Sequence, residues 1–359
     1  MRAGRVRTAA LGFAALCAAA AAVPAQTASS PKCTISVYPR AGAPSSGGKL
    51  HGPGLVLSGA GLLGMPYPEV LRWMRAQIRP GGERWGNLLI LQASGENDYT
   101  QGFYKSSRFA SVQEMLIPPC AGREMVDRTA HYAEAASAVL FVGGDQANYV
   151  PWRGSALMAA VRGVYGRGGV VGGGSAGLAI QGAVIYDAVA ADRVLPDDEN
   201  LGSPLATRDP YGPAVSLTPD MFGWPPLANT ITDSHFAKRD RFGRLAAFMA
   251  RALHGKLIAG DRVYGLGIDE GSVLLVDRRG VATLHELTGE PYHTKGAYVL
   301  SGGPAQRIAR GKPLLYTVDV VHLSRAGQHY DLTHHRGDGE HYRVTVDGAQ
   351  KTFYSRNPY

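Results

Sequence analysis

The feature that most constrains the fold is the glycine-rich stretch Val170–Gly177, which reads Val-Val-Gly-Gly-Gly-Ser-Ala-Gly. A short apolar strand leads into it, and the mostly apolar segment Leu178–Ile185 behind it can begin a helix. The glycines remove side chains where strand and helix nearly touch, which leaves the Ser175 hydroxyl exposed. This layout is typical of a nucleophile elbow, and a plain turn whose serine caps the helix is the simpler alternative.

The N-terminus predicts export from the cytoplasm. Three arginines precede an apolar, alanine-rich run from Thr8 to Ala22, and Val23-Pro24-Ala25 follows as a small-residue cleavage site. We therefore predict that residues 1–25 are a signal peptide and that the mature chain is secreted or periplasmic. No later stretch approaches 18 uninterrupted apolar residues, so we expect no membrane anchor.

Charge and cysteine content limit the kinds of ligand that the mature chain is expected to bind. The formal net charge is +8, three of these charges lie in the predicted signal peptide, and no Lys/Arg run or aromatic ladder follows. We therefore expect no nucleic-acid binding. Cleavage leaves Cys33 and Cys120, which could pair in an oxidising compartment or remain free thiols, and which are too far apart to form a metal-binding cluster.

The middle of the chain predicts a mostly parallel, doubly wound α/β sheet. Residues 26–49 are polar and rich in Ser, Pro and Gly, which indicates a linker or N-terminal extension. Residues 50–290 form the predicted α/β domain, because buried apolar strands alternate with helices there, and ligands bind such sheets at the carboxyl ends of the strands. Residues 291–359 are predicted as a β-rich C-terminal extension. The predicted strands are Leu55–Ser58, Asn87–Gln92, Gln113–Ile117, Ala138–Val142 and Val170–Gly172, and the predicted helices are Glu69–Ile78, Val126–Ala136, Gly154–Tyr165 and Leu245–Leu253.

Three other patterns suggest competing sites. Gly59–Gly64 fits G-x-G-x-x-G between a strand and a helix, so it indicates either a dinucleotide site or a tight turn. Export argues against a nicotinamide cofactor. The pattern Gly-x-Ser-x-Gly around Ser175 also suggests the α/β-hydrolase fold. The glycine-rich segment at His51 is distantly similar to the oxyanion loop of that fold, but it precedes its strand instead of following it. Near the end of the sequence lies a cluster of possible metal ligands, which comprises His334, His335, Asp338 and His341. We expect this cluster to be a surface loop and not a zinc site, and we therefore expect no metal or cofactor.

Two further stretches carry polar chemistry at strand ends. The strand that starts at Ala138 ends in Gly-Gly-Asp-Gln146, which suits a backbone N–H aimed at a ligand or an ordinary turn. The stretch Ile231–Leu245 holds His235 and three arginines ahead of an apolar helix. Arginine binds carboxylates with two hydrogen bonds, although a solvated helix start is also open.

These motifs, taken in order, resemble the cyanophycinase and dipeptidase E family of serine peptidases. The resemblance runs from about Gly54 to the C-terminus. It implies a fold like that of class I glutamine amidotransferases, with serine in place of their elbow cysteine. The motifs that carry it are Gly-Gly-Asp-Gln146, Gly-Gly-Ser175-Ala-Gly, Ile-Tyr-Asp187-Ala, Asp233-Ser-His235-Phe with its Arg-x-Arg-x-x-Arg tail, and Gly267-Ile-Asp269-Glu270.

The resemblance assigns roles to individual residues. It implies Ser175 as nucleophile and His235 as general base. Asp187 is our choice for orienting His235, Asp192 is the second choice, and a surface carboxylate is open for both. Asp269-Glu270 is expected to form a structural turn or a hydrogen-bond anchor. The oxyanion hole maps to the N–H groups of Gly144 and Ala176, and the substrate-binding positions map to Gln146, Asp233, Ser234, Arg239, Arg241 and Arg244, where Ser234 replaces the Gln of better-known members.

The expected function is that of a secreted serine exopeptidase-type hydrolase. The resemblance implies cleavage of cyanophycin, a β-aspartyl-arginine polymer, to β-Asp-Arg dipeptides through an acyl-enzyme, with acidic groups receiving the arginine and basic groups the carboxylates. A serine activated by histidine near neutral pH fits amide hydrolysis. The alternatives are a dipeptidase E-like enzyme for other aspartyl peptides and a non-catalytic peptide-binding protein. The expected partner is thus a peptide or polypeptide, and a homodimer is left open.

Overall fold

A computed structural model describes residues 33–45, 50–62, 67–78, 84–95, 98–196, 199–219, 221–287 and 292–359. The predicted signal peptide lies outside the described residues. The strands are β1 (Ser36–Val37), β2 (Ala41–Gly42), β3 (Gly54–Ser58), β4 (Trp85–Gln92), β5 (Phe109–Leu116), β6 (Ala138–Phe141), β7 (Val170–Gly174), β8 (Val184–Tyr186), β9 (Leu217–Pro219), β10 (Thr230–Asp233), β11 (Val263–Ile268), β12 (Ser272–Val276), β13 (Val281–Glu286), β14 (Ala297–Gly302), β15 (Leu315–Leu323), β16 (His329–Asp331), β17 (Arg336–Gly337) and β18 (Glu340–Asp347).

The helices connect these strands. They are α1 (Pro68–Ile78), α2 (Thr100–Ser107), α3 (Arg123–Asp127), α4 (Ala130–Glu134), α5 (Ala156–Gly166), α6 (Ala176–Ala179), α7 (Ala191–Val194), α8 (Ser203–Arg208) and α9 (Phe242–His254), with short 3₁₀ helices at Gln146–Trp152 and Pro225–Leu227. None of the helices within the described ranges is long and apolar enough to cross a membrane.

The larger sheet confirms the predicted α/β class. Its order is β1-β5-β4-β6-β7-β3-β12-β13-β16-β17, with β2 also paired to β5. The central strands β5, β4, β6, β7 and β3 are parallel, whereas β12 and β13 continue the sheet in antiparallel sense. Side chains of β3 alternate between two covered faces, since Leu55 and Leu57 pack with α5 and Val56 packs with α1.

The second half of the chain builds a separate five-stranded sheet, ordered β10-β11-β14-β15-β18. Strands β10 and β11 are parallel and the others antiparallel, and α9 buries Phe248 and Met249 in the core that this sheet shares. The expected β-rich C-terminal segment therefore divides: β14, β15 and β18 enter this sheet, and β16 and β17 extend the larger one. Strand composition alone does not specify such distant pairing partners.

The N-terminal part and two helices differ from the sequence pattern. Strands β1 and β2 pair with β5, and Cys33 forms a disulfide with Cys120 at a Cα–Cα distance of 5.8 Å, so residues 33–45 are attached to the sheet. The predicted helix Val126–Ala136 divides into α3 and α4. The helix after Ser175 is only α6, which ends at Ala179, and the β-branched Val184 and Ile185 lie in strand β8.

Candidate active site

Ser175 lies in a sharp turn between β7 and α6. Its backbone has φ 54° and ψ −116°, and its N–H donates to the carbonyl of Ser58 at 3.2 Å. Positive φ is strained for a residue with a Cβ, and such strain concentrates at functional sites. A Cβ on Gly172 would lie 1.9 Å from the carbonyl oxygen of Val56, so backbone packing against β3 requires glycine there.

His235 reaches Ser175 from the other half of the chain. It follows β10, which ends at Asp233, and its backbone also has positive φ, 47°. The His235 N–H donates to the carbonyl of Gly59 at 3.0 Å, which ties this turn to the end of β3. The Oγ of Ser175 and the Nε2 of His235 are 2.8 Å apart. The two residues paired by the sequence analysis therefore lie within hydrogen-bond distance.

Glu270 orients the histidine. Its Oε1 lies 2.6 Å from Nδ1 of His235, and its Oε2 lies 2.8 Å from Nζ of Lys238. Burial by itself would raise the pKa of Glu270, but the hydrogen bonds from Lys238 and His235 outweigh it and lower that pKa. An ionised Glu270 accepts the Nδ1–H, which leaves Nε2 free to accept the Ser175 proton.

Burial also sets the protonation state of the histidine. It lowers the pKa of His235 to about 4, helped by the positive charges of Arg239 and Arg241 and opposed by Glu270. The imidazole is therefore neutral around pH 7, as a general base must be before it accepts a proton.

The prediction that Asp187 orients His235 is wrong. The Asp187 carboxylate accepts hydrogen bonds from the Ser216 hydroxyl, from the Thr218 hydroxyl at 2.6 Å and from the Val189 N–H at 3.0 Å, so it holds β8 to β9. The second choice, Asp192, does not hydrogen-bond to the histidine either. Burial and the neighbouring Asp145 carboxyl raise the pKa of Asp192 to about 6.

Most of the predicted substrate-binding residues of the histidine motif are buried. Arg244 makes a two-pronged ion pair with Asp233, with Nε–Oδ2 at 2.7 Å and Nη2–Oδ1 at 2.5 Å. Arg241 donates to the Ser234 carbonyl at 2.9 Å and to its hydroxyl at 3.2 Å. These four residues are each 5% exposed or less. They are not among the residues that line the cleft at Ser175, and they hold the backbone that carries His235.

Arg239 differs from its two neighbours, because it is exposed and lines the cleft above Ser175. The cleft has a volume of about 490 Å³. Among the described residues that line it, Arg239 is the only permanently charged side chain. The lining consists of Gly61, Leu62, Gln92, Ser94, Gly95, Tyr99, Val142, Gly143, Gly144, Ser175, His235 and Arg239.

Of the two predicted oxyanion donors, Ala176 directly follows Ser175 and Gly144 lines the same cleft as Ser175. A Cβ on Gly143 would lie 3.6 Å from Ser175 Oγ, so the backbone leading to Gly144 borders the hydroxyl. Ala176 is the first residue of α6, where backbone N–H groups have no acceptor within the helix. Gln146 is farther along the loop and donates to the carbonyl of Tyr186 at 3.4 Å.

No group of three or more His, Cys, Asp or Glu side chains in the described part of the chain is arranged to hold a metal ion. His334 pairs with Asp331 at 2.8 Å, and His335 stacks on Tyr264 with ring centroids 3.6 Å apart. These histidines therefore engage neighbours on the protein surface and lie outside the Ser175 cleft.

The sequence pattern predicts Glu270 only as part of a turn or a hydrogen-bond anchor and does not predict its contact with the histidine. One signal could have found it. Strands β10 and β11 are parallel neighbours, with Asp233 opposite Gly267, so the residues that follow them emerge at the same sheet edge. His235 and Glu270 each come a few residues after this register pair. Recognising the pairing required knowing that these two strands are adjacent.

Comparison with known proteins finds similarity to solved structures but to no family model or curated protein. No family model matches this chain, and no curated protein matches it. A solved peptidase from an acI-B1 Actinobacterium is 15% identical with a TM-score of 0.45, covering 79% of this chain and 98% of its own. A protein of Listeria monocytogenes EGD-e, named as a candidate peptidase E, is 12% identical with a TM-score of 0.38, covering 66% of this chain and 100% of its own. Similarities at these values say nothing about activity, so the geometry of the site is the basis for assigning one.

Proposed function

We propose that this protein is a serine hydrolase that cleaves amide bonds of aspartyl peptides through an acyl-enzyme. One observation carries the proposal: Ser175, His235 and Glu270 form a continuous hydrogen-bonded chain, with heavy-atom distances of 2.8 and 2.6 Å. A nucleophile, a base and a group that orients the base are the parts that serine-based acyl transfer needs. The strained Ser175 turn is then a nucleophile elbow.

The reaction follows from the roles of the three side chains. His235 Nε2 takes the hydroxyl proton as Ser175 Oγ attacks the amide carbonyl carbon, and Glu270 stabilises the imidazolium that forms. The N–H groups of Gly144 and Ala176 hold the oxyanion. The imidazolium then gives its proton to the leaving nitrogen, the C–N bond breaks, and an ester on Ser175 remains. Water, deprotonated by His235, hydrolyses that ester and releases the acid.

The charge of the cleft supports an acidic substrate. Arg239 is exposed beside Ser175 and His235, and a guanidinium binds a carboxylate with two parallel hydrogen bonds. We propose the β-aspartyl–arginine amides of cyanophycin as substrate, cleaved to β-Asp-Arg dipeptides. The described residues of the cleft wall offer no carboxylate for the arginine side chain, and this favours, as a second candidate, a dipeptidase E-like enzyme that needs only the aspartyl carboxylate.

The proposal includes export of the mature chain. Residues 1–25 have the composition of a signal peptide, and the Cys33–Cys120 disulfide fits an oxidising compartment. Secretion and periplasmic retention are both consistent with these observations.

A serine-directed probe tests the mechanism. We expect a fluorophosphonate to label the purified mature protein and Ser175→Ala to abolish the labelling, because the probe reports an activated serine. Ser106→Ala is the control, since that hydroxyl is exposed and lies outside the Ser175 cleft. Absence of labelling in folded wild-type protein would contradict catalysis and favour a peptide-binding protein.

Product analysis tests the substrate. Wild-type protein and Ser175→Ala are incubated with cyanophycin, with β-Asp-Arg oligomers and with α-linked aspartyl dipeptides, and the products are identified by mass. Release of β-Asp-Arg by wild type alone supports cyanophycin cleavage. Turnover confined to α-linked peptides would replace it with the dipeptidase E-like activity.

A further inference from the structure

The segment of residues 235–241, the histidine turn, carries both His235 and Arg239. Its backbone closes on itself, because the Arg239 N–H donates to the His235 carbonyl at 3.1 Å and the Arg241 N–H donates to the Phe236 carbonyl at 3.0 Å. Left-handed backbone occurs near both of its ends, with φ 47° at His235 and 43° at Asp240. Two such strained residues persist only where surrounding contacts hold them.

Two tyrosines near the end of the chain supply contacts at the second strained position. The hydroxyls of Tyr354 and Tyr359 donate to the same Asp240 carboxylate oxygen, at 2.7 and 2.8 Å. Ser203 also donates to the Asp240 backbone carbonyl. The two tyrosines that hold Asp240 are thus more than a hundred residues away from it in sequence, and Ser203 is 37 residues away.

The same two hydroxyls cap helix α9. Tyr359 Oη accepts from the Phe242 N–H at 3.0 Å, and Tyr354 Oη accepts from the Gly243 N–H at 3.0 Å. First-turn N–H groups of a helix need acceptors from outside it, and a carboxylate near that end is favourable. Each tyrosine hydroxyl therefore bridges the Asp240 carboxylate and one N–H of α9, the helix that follows the histidine turn.

Aromatic packing holds residues 354–359, the C-terminal tail, against the histidine turn. The Tyr359 ring makes edge contacts with Phe236, which directly follows the histidine, and with Tyr298, at centroid distances of 6.0 and 5.8 Å. The Tyr342 hydroxyl of β18 donates to the Pro358 carbonyl at 2.6 Å. The tail thus connects the outer strand of the second sheet to the residue next to the histidine.

We propose that Tyr354 and Tyr359 are positioning residues that hold the histidine turn in the register at which His235 meets Ser175 and Arg239 faces the cleft. Neither tyrosine touches the reacting atoms. The inference deepens the proposed function and rests on it for its catalytic consequence, but the structural consequence stands independently. Loss of the two hydroxyls frees Asp240 and two helix N–H groups, and the turn then samples other arrangements.

The test compares Tyr354→Phe/Tyr359→Phe with wild type. Tyr316→Phe is the matched control, because it removes a buried hydroxyl of strand β15 that has no hydrogen-bond partner among the described residues. We expect hydrogen exchange of the 236–243 amides to accelerate at least about tenfold in the double variant and to stay unchanged in the control. We expect fluorophosphonate labelling of Ser175 to slow by a similar factor, with kcat reduced more than KM is raised.

Single substitutions guard against loss of folding. Should the double variant not fold, Tyr359→Phe alone is expected to show the same changes at smaller size. Exchange of the 236–243 amides at the wild-type rate would overturn the proposal, and so would faster exchange with labelling at the wild-type rate. Wild-type protein that is not labelled at all would refute the proposed function, while the exchange measurement would still decide whether the tyrosines hold the turn.

Discussion

The serine turn, residues 172–177, and the histidine turn meet at one hydrogen bond but are held in different ways. The serine turn depends on missing side chains: a Cβ on Gly174 would lie 2.0 Å from the Ala60 carbonyl oxygen. The histidine turn depends on side chains that are present: Arg244 of the helix that follows it, and Glu270 and Tyr359 from more distant parts of the chain. A strained nucleophile can be held by backbone contact alone, whereas its base requires a network.

Substitutions in the serine turn and in the histidine turn should therefore destabilise the protein in different ways. A methyl group added to the serine turn has no room, because backbone atoms cannot move aside without disrupting the central strands. A side chain removed from the histidine turn leaves a specific polar group unpaired, and the cost depends on how deeply that group is buried. The substitutions below are ordered by expected size of effect.

The largest effect is expected from Gly174→Ala, which places a Cβ against the carbonyl of Ala60. We expect the free energy of unfolding to fall by about 4 kcal/mol or more, the range of severe core disruption. Urea unfolding measures it. Gly166→Ala is the control, since a Cβ there would meet nothing within 4 Å. Equal stability of the two variants would contradict the close contact between β7 and the segment after β3.

Arg244→Met tests the buried support of the histidine turn. It removes the two-pronged partner of Asp233, a carboxyl whose pKa burial tends to raise and the two arginines lower. Leaving a buried charge poorly compensated is expected to cost about 3 kcal/mol of unfolding free energy. Arg343→Met, which breaks an exposed pair with Asp319, should cost less than about 1 kcal/mol. A similar loss in both would argue against a special role for the buried pair.

Glu270→Gln should separate activity from stability. The amide keeps the shape of the side chain but cannot stabilise the imidazolium, so kcat is expected to fall by about 10⁴-fold, as when a triad carboxylate is neutralised. The thermal midpoint should change little. Glu286→Gln, in an exposed pair with Lys295, serves as control. Activity that falls only with Asp187→Asn would reinstate Asp187 as the orienting group.

The smallest effect concerns the pH profile. His235 must be neutral to act as base, and its pKa of about 4 places the acid limb of kcat/KM near pH 4, below the value for an unperturbed histidine. The positive charge of Arg239 contributes to this lowering, so Arg239→Gln should move the acid limb upward. The profile of each protein measures it. An acid limb that is unchanged in Arg239→Gln, or that lies near pH 6.5 in wild type, would contradict the environment assigned to His235.

The sequence predicted one side of this comparison better than the other. The strand, the glycines and Ser175 lie together within eight residues, so local pattern located the serine turn. The motif identifies His235 but not its environment. It predicts Asp233, Arg241 and Arg244 as substrate ligands, whereas in the structure they are buried partners of one another. Charged motif residues look alike in sequence whether they face solvent or pair inside the core.

The choice of Asp187 failed for a related reason. It lies twelve residues after Ser175, and closeness in sequence suggested closeness in space. Chain direction instead takes Asp187 into the β8–β9 pair, where hydroxyls of Ser216 and Thr218 bind it. Glu270 reaches His235 because β10 and β11 are parallel neighbours, a pairing that connects residues 35 apart.

By itself the sequence determined the α/β character, the central strands and the serine turn, because each depends on apolar periodicity or on glycines that are adjacent along the chain. Only the tertiary structure decided that the described strands divide into sheets of eleven, five and two strands, that Glu270 orients the histidine and that Tyr354 and Tyr359 reach Asp240. Those features are pairings between distant segments. Such pairings depend on packing and hydrogen bonding in three dimensions, and no local pattern specifies them.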